Sequence, residues 1–332
     1  MSSRNVAAAP TLQENVIALR RVRGFHIGGQ ALDLQGLPPK TLETVPGEPP
    51  RQSDPNGRYQ VGQLYAQHFE LARAAYSLPV LFWHGGGMTG ATWEETPDGR
   101  AGWHDHFMRR GFHTCVSDAV ERGRASWAPY PEILPTAPEH RTVDQAWSIF
   151  RFGPPGGYLN RAAHPGLRFP VAQIDQLGKQ FVARWTCNGA RTLAAYGELL
   201  RQFGRSIIVA HSEGARHAAQ LAALMPRAIA AVVLIEPAGA PALDAGMARE
   251  AAGVPHLVVW GDHFGHSDLW RRYRAGADRW LDRVRTAGGR VDTLDLPASG
   301  VFGNSHLLMM DDNSADIADR VADWVGAQKP GR

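Results

Sequence analysis

The sequence predicts a three-layer α/β protein with a mostly parallel sheet, and three observations carry that expectation. Short runs of continuous apolar residues recur along the chain, as in Val80-Leu81-Phe82-Trp83 and in residues 229–235. A strand without polar alternation is buried on both faces, as happens when helices cover a parallel sheet above and below. Helical patterns lie between these runs, at residues 192–203 and in the amphipathic stretch 314–325, which puts Ile317, Val321, Trp324 and Val325 on one face. The third observation is a β-branched run, Ile207-Ile208-Val209-Ala210, that passes through His211-Ser212-Glu213-Gly214 into Ala-rich helical sequence. Strand and helix are joined there by a tight turn with a serine at its apex, the β-then-α alternation of this class.

Taken in order, residues 1–15 read as a loose N-terminal arm, and residues 16–34 as two strands around the Gly28-Gly29 pair. A Pro-rich link over residues 38–55 is expected to cross the surface, and residues 59–72 alternate like an antiparallel strand on the sheet's edge. Buried strands follow at 79–84, 112–116, 207–210, 229–235 and 256–260, and a last one at 291–294. A helix is expected at 103–110, between the first two of them. Residues 119–190 break the alternation and are far longer than ordinary loops. They are rich in aromatic residues, including Trp127, Trp147, Phe150 and Trp185. That composition fits an inserted lid over the strand ends, with residues 16–118 and 191–332 forming the core.

Composition narrows the partners. With 44% hydrophobic and 20% charged residues, the 332-residue chain has a globular makeup. No run approaches the roughly 18 apolar residues of a bilayer span. The net charge of +3 is modest, and basic pairs such as Arg20-Arg21 and Arg271-Arg272 are scattered, so no nucleic-acid partner is expected. Cys115 and Cys187 are too few for a disulfide framework or a zinc site, and Cys115 in a buried strand is expected to be inert. The first ten residues lack the basic start and apolar centre of a signal peptide. The expected location is therefore the cytoplasm if the chain is complete, and the periplasm or exterior if a leader was removed. Oligomeric state is not legible, and a homodimer is open to the chain.

The chemistry starts from Ser212. A strand-to-helix turn with serine at its apex is the context of a nucleophile elbow, where strain lifts the hydroxyl above the sheet. In the pattern G-x-S-x-G the first position is Ala210, whose side chain is little larger than hydrogen. The same stretch also reads as an ordinary helix-capping serine, so the rest of the chain must decide. A serine hydroxyl needs a base, and of the 14 histidines His306 stands in the polar loop between the last strand and the final helix. The imidazole in turn needs an anion. Glu236 and Asp262 each end a strand at the carboxyl edge where open α/β sheets place their sites, and topology does not choose between them.

His84-Gly85-Gly86-Gly87-Met88 follows the first buried strand. Its backbone N–H at Gly86, or alternatively Gly87, together with that of Glu213, would form an oxyanion hole. No Gly-Lys-Ser/Thr follows, which argues against a P-loop, and residues 89–96 do not read as the helix that a dinucleotide fingerprint at Gly85, Gly87 and Gly90 would open. His104 and His106 beside Asp105 lack a third placed metal ligand. The reading needs no metal and no organic cofactor. His211 and His217 flank the elbow as packing or pocket-lining residues, and Met88, His211, Trp127 and Trp185 are the pocket candidates. The order serine, acid, histidine points to hydrolysis through an acyl-enzyme.

These features together resemble the α/β-hydrolase esterases. The stretch His84-Gly-x-x-x-Thr89-Gly-x-Thr92-Trp-x-x-Thr96-Pro-Asp-Gly-Arg-x-Gly-Trp103 is similar to one found in a small bacterial carboxylesterase group. The resemblance covers about residues 60–325 and is weakest in the long insert. It implies an α/β-hydrolase fold, a small-molecule ester as substrate, and Glu236 rather than Asp262 as the acid. Members of that group are exported and carry adjacent cysteines in the oxyanion loop. Gly86 and Gly87 stand there in this chain, so localisation and redox behaviour are not carried over. The same catalytic machinery could also cleave amides, carbamates, lactones or carbon–carbon bonds, and the sequence does not separate these outcomes. A non-catalytic binding protein of the same fold is the alternative from another class; inactive members usually lose one of the three positions, and here all are filled.

Overall fold

The computed structural model describes residues 16–241 and 245–328, so the arm expected at residues 1–15 lies outside it. Its main sheet has eight strands in the order β1-β4-β6-β5-β7-β8-β9-β10. These are β1 (Leu19–Leu34), β4 (Gly57–Leu71), β5 (Val80–Trp83), β6 (Thr114–Asp118), β7 (Ser206–His211), β8 (Ile229–Ile235), β9 (His256–Trp260) and β10 (Val291–Asp295). From β6 through β10 all neighbours run parallel, while β1 and β4 pair antiparallel at one side.

Continuous apolar strands are used as expected, one face per core. Val80 and Phe82 of β5, with Val209 of β7 and Val233 of β8, face a core closed by α1 (Trp103–Arg109) and α8 (Ser314–Ala327). Leu81, Trp83, Ala210 and Leu234 face the opposite core, under α4 (Gly189–Phe203), α5 (Glu213–Leu224), α6 (Ala245–Ala251) and α7 (Asp268–Thr286). The result is three layers. None of the helices among the described residues is long and apolar enough to cross a membrane.

Two expectations at the N-terminal side need correction. Residues 19–34 are one strand, because β4 pairs with β1 along its whole length, from Leu19↔Leu71 to Leu34↔Gly57. Gly28 and Gly29 do have positive φ, but Gly62 opposite them does too, so both strands kink together and the chain does not reverse. Consequently β4 lies inside the sheet, between β1 and β6, and β1 is the edge. The Pro-rich link carries a small exposed hairpin, β2 (Lys40–Leu42) with β3 (Arg51–Ser53).

Residues 119–190 contain two short α-helices, α2 (Val143–Ile149) and α3 (Ile174–Gly178), two 3-10 turns and otherwise irregular chain up to Gly189, where α4 begins. A capping box at Thr142 and Gln145 starts α2. Most of its buried side chains pack on the sheet, apart from a small cluster of Ala128, Leu134 and Trp185 around Val61 of β4. Trp147, Phe150, Phe152, Phe169, Ile174 and Leu177 join the same core as the sheet and α8.

Candidate active site

The turn after β7 is tight for identifiable reasons. Ser212 has φ 54° and ψ −113°, a conformation that a side-chain-bearing residue adopts at a cost. It is clamped there, its N–H donating to the Ile235 carbonyl and its own carbonyl accepting from Ala238 N and Arg216 N. Helix α5 then leaves so close to β5 that a Cβ on Gly214 would stand 2.5 Å from the His84 carbonyl oxygen. Glycine is required at that position, and fully buried Ala210 meets the same restriction before the turn. Although Ser212 precedes α5, its side chain makes no capping hydrogen bond.

The hydroxyl instead meets His306, with Ser212 Oγ 3.1 Å from His306 Nε2. His306 Nδ1 is 3.1 Å from Glu236 Oε2. With the ring neutral, Nδ1–H donates to Glu236 and Nε2 accepts from Ser212. All three residues are buried. His306 is held by its backbone on both sides: its N–H donates to the Phe150 carbonyl at 2.9 Å, and His211 Nε2 lies 3.0 Å from its carbonyl oxygen. Trp270 packs on the ring, with centroids 3.9 Å apart.

Glu236 follows β8 with φ 48° and accepts from Gly261 N at 2.5 Å. Its carboxylate also receives a two-pronged contact from Arg151, at 2.9 Å to Oε2 and 2.8 Å to Oε1, and both side chains are fully buried. Arg151 is fixed in turn by the Asp262 carbonyl and by stacking over Phe264. The Asp262 carboxylate does not reach His306. It accepts from His263 N and Gly303 N, bracing the loop that carries His306.

Charge follows from these contacts. Burial, and then the positive Arg151 and Arg141, hold His306 well below the usual histidine range. The ring is therefore neutral at pH 7, the form that can accept a proton. A lone carboxylate would pull the other way, but Arg151 already neutralises Glu236.

A cavity of about 150 Å³ opens over Ser212 and His306. Met88, Ile149, Phe150, Leu269, Trp270 and Tyr273 form its apolar wall, and Glu139, Arg141, Arg184 and Glu213 its charged one. Gly85 and Gly86 line it beside Ser212. Gly87 does not, and its carbonyl accepts from Val182 N. No backbone acceptor among the described residues takes the N–H of Gly86 or of Glu213. The Glu213 side chain sits against this loop, 2.9 Å from where a Gly86 Cβ would be. Burial works against its charge, yet Arg184 at 2.8 Å and Arg122 at 3.9 Å hold its carboxyl down at about 2.

Of the pocket candidates, Met88 and His211 line the cavity, while Trp127 and Trp185 do not. Trp185 donates its indole N–H to the Thr136 carbonyl and packs with Val61, Ala128 and Leu134 beside β4. Trp127 lies on Trp185 and is 56% exposed. That small satellite core holds Trp185, and with it the ring of Trp127, away from Ser212. His217 lies under the elbow in a second, smaller cavity with His84 and Arg122. His104 belongs to α1, with its ring tilted on Phe69, and no cluster of metal-ligating side chains occurs among the described residues. The insert contributes different residues from those expected, namely Arg141, Phe150, Arg151 and Arg184. Arg151 had a signal, a lone charge between Phe150 and Phe152. Arg141, in a polar stretch, had none.

Comparison with known proteins agrees with the fold. No protein-family model matches the chain. A curated relative, a probable secreted lipase from a fungal species, is 23% identical over 329 residues, covering 82% of this chain and 88% of the relative. A solved structure of a bacterial esterase is 30% identical, superposes with a TM-score of 0.80 and covers 98% of this chain and 99% of that one. A likeness of that identity and extent means that the chain belongs to the esterases of the α/β-hydrolase superfamily.

Proposed function

We propose that the chain hydrolyses carboxylic esters through an acyl-enzyme, with Ser212 as nucleophile, His306 as general base and acid, and Glu236 as the acid partner. The single observation that carries this reading is the continuous contact from Ser212 Oγ through His306 to Glu236, 3.1 Å at each step. Ser212 attacks the ester carbonyl while His306 Nε2 takes its proton. The negative oxygen forms against the N–H groups of Gly86 and Glu213. His306 then returns the proton to the leaving alcohol, and water repeats the sequence on the acyl-enzyme. A bare Glu213 carboxylate next to that oxygen would oppose its charge; Arg184 and Arg122 cancel it. The insert at residues 119–190 acts as the lid, with Arg141, Phe150 and Arg184 walling the cavity.

The test is ester turnover with Ser212→Ala as control. We expect hydrolysis of short acyl esters and stoichiometric labelling by a serine-directed phosphonate, with the variant losing about 10⁴-fold or more in turnover and all labelling. Absence of both turnover and label in the wild type would sink the reading.

A further inference from the structure

The three arginines that reach the charged wall are not equivalent. Arg184 is paired with Glu213 and Glu139, and Arg122 lies against Glu213. Arg141 lies beside them, lines the same cavity, and has no carboxylate within ion-pair distance among the described residues. Its only hydrogen bond there is from Nη1 to the Gly86 carbonyl at 3.1 Å, and its guanidinium stands over the Phe150 ring at 5.1 Å. A guanidinium has five N–H donors, so most of its capacity has no protein partner among the described residues. Glu139 and Glu213, the carboxylates that act on Arg141 through space, are already in ion-pair contact with Arg184 and Arg122.

A partly desolvated, unpaired cation is costly to hold, and a carboxylate is the group whose two oxygens match its planar fork. The position matters as much as the charge. Arg141 touches Gly86, a residue of the loop proposed to hold the ester's oxygen, so an anion on Arg141 belongs to the same small molecule as the scissile bond. The cavity is of the size that holds roughly a benzene-sized guest, so the part of that molecule that lies inside it is short.

We propose that the site is selective for short esters bearing a free carboxylate, in the acyl or the alcohol part, and that Arg141 is the residue that recognises it. This rests on the esterase reading above. Arg184 cannot substitute, because its charge is already matched; the apolar wall of Met88, Phe150 and Trp270 holds the remaining carbon chain.

The experiment compares kcat/KM on two isosteric pairs. Monomethyl succinate against methyl 4-methylpentanoate places the carboxylate in the acyl part, and O-acetylglycolate against isobutyl acetate places it in the alcohol part. The wild type should prefer the anionic member of at least one pair by about 10-fold or more, and that pair identifies the side. Arg141→Met should lose about 10- to 100-fold on the preferred anionic ester, mainly through KM, the size expected of a charge-assisted contact. The same variant should lose less than about 3-fold on its neutral partner, and Arg141→Lys should recover part of the loss. Wild-type preference for the neutral ester in both pairs would overturn the proposal. So would an equal loss on both members, since that is what a residue that merely orients Gly86 would give. If the wild type cleaved none of the four and took no serine label, the esterase reading would fail separately. Calorimetric binding of succinate to wild type and Arg141→Met would then decide: binding lost in the variant supports the anion site, and no binding to either overturns it.

Discussion

The parallel core and the insert at residues 119–190 contribute to the site in opposite ways. Ser212 and Glu236 sit at the ends of adjacent strands, and His306 in the loop after β10, so sheet register decides where their atoms lie. The insert has little regular structure, yet from it come Arg151 on Glu236, Arg141 and Arg184 on the cavity wall, and the Phe150 carbonyl that holds His306. The core places these three residues, and the insert adds the charged groups around them together with one backbone contact to His306. A site can therefore keep its reactive geometry while an irregular segment changes what the site binds and at what pH it works.

That division can be broken experimentally, and the largest effect concerns the acid. Glu236→Gln should lower turnover about 10²- to 10⁴-fold, because the neutral amide no longer balances an imidazolium. Asp262→Asn should cost less than about 10-fold, since its carboxylate is taken up by Gly303 N and His263 N. Steady-state kinetics on one ester ranks the two, and the reverse order would place the acid elsewhere.

Removing the insert's contact with that acid comes next. Arg151→Met strands the buried Glu236 carboxylate and should cost about 3–5 kcal/mol of folding stability. Urea denaturation measures it. Combining it with Glu236→Gln should restore part of the loss, because no uncompensated charge remains. An unchanged unfolding midpoint for the single variant would show that the pair carries no such energy.

The smallest effect is on pH dependence and sharpens the comparison furthest. In the proposed mechanism His306 must be unprotonated to accept a proton from Ser212. Burial, Arg151 and Arg141 all disfavour its protonated form, whereas Glu236 favours it. The acid limb of kcat/KM should therefore lie below the ordinary histidine value near 6.5. Neutralising Arg141 by Arg141→Met should move it upward by a fraction of a unit. A wild-type limb at or above 6.5, or a shift in the other direction, would mean that the insert does not set the charge state.

Some of this arrangement was legible beforehand for physical reasons. A run such as Val80-Leu81-Phe82-Trp83 has no polar face, so it must be an inner strand wherever it occurs. The turn at Ser212 is specified by its neighbours, Ala210 and Gly214, which alone allow the close approach. The N-terminal strands were harder to read. Gly28-Gly29 permits a reversal without requiring one, and pairing with β4 decided against it. Aromatic content likewise marked residues 119–190 as packed, but not which aromatic residues would face Ser212. Trp127 and Trp185 found partners beside β4, and Phe150 took the cavity.

The sequence by itself determined the alternation of buried strands and helices, the serine turn, and the order of Ser212, the two candidate acids and His306, because each is written in local pattern and chain order. Only the tertiary structure decided which carboxylate faces His306, that Arg151 neutralises it, and that Arg141 is left without a partner. Those outcomes depend on side chains far apart in the chain, such as residues 151 and 236, meeting in a dry interior. There, Coulombic and hydrogen-bond terms depend on distance and burial rather than on sequence spacing.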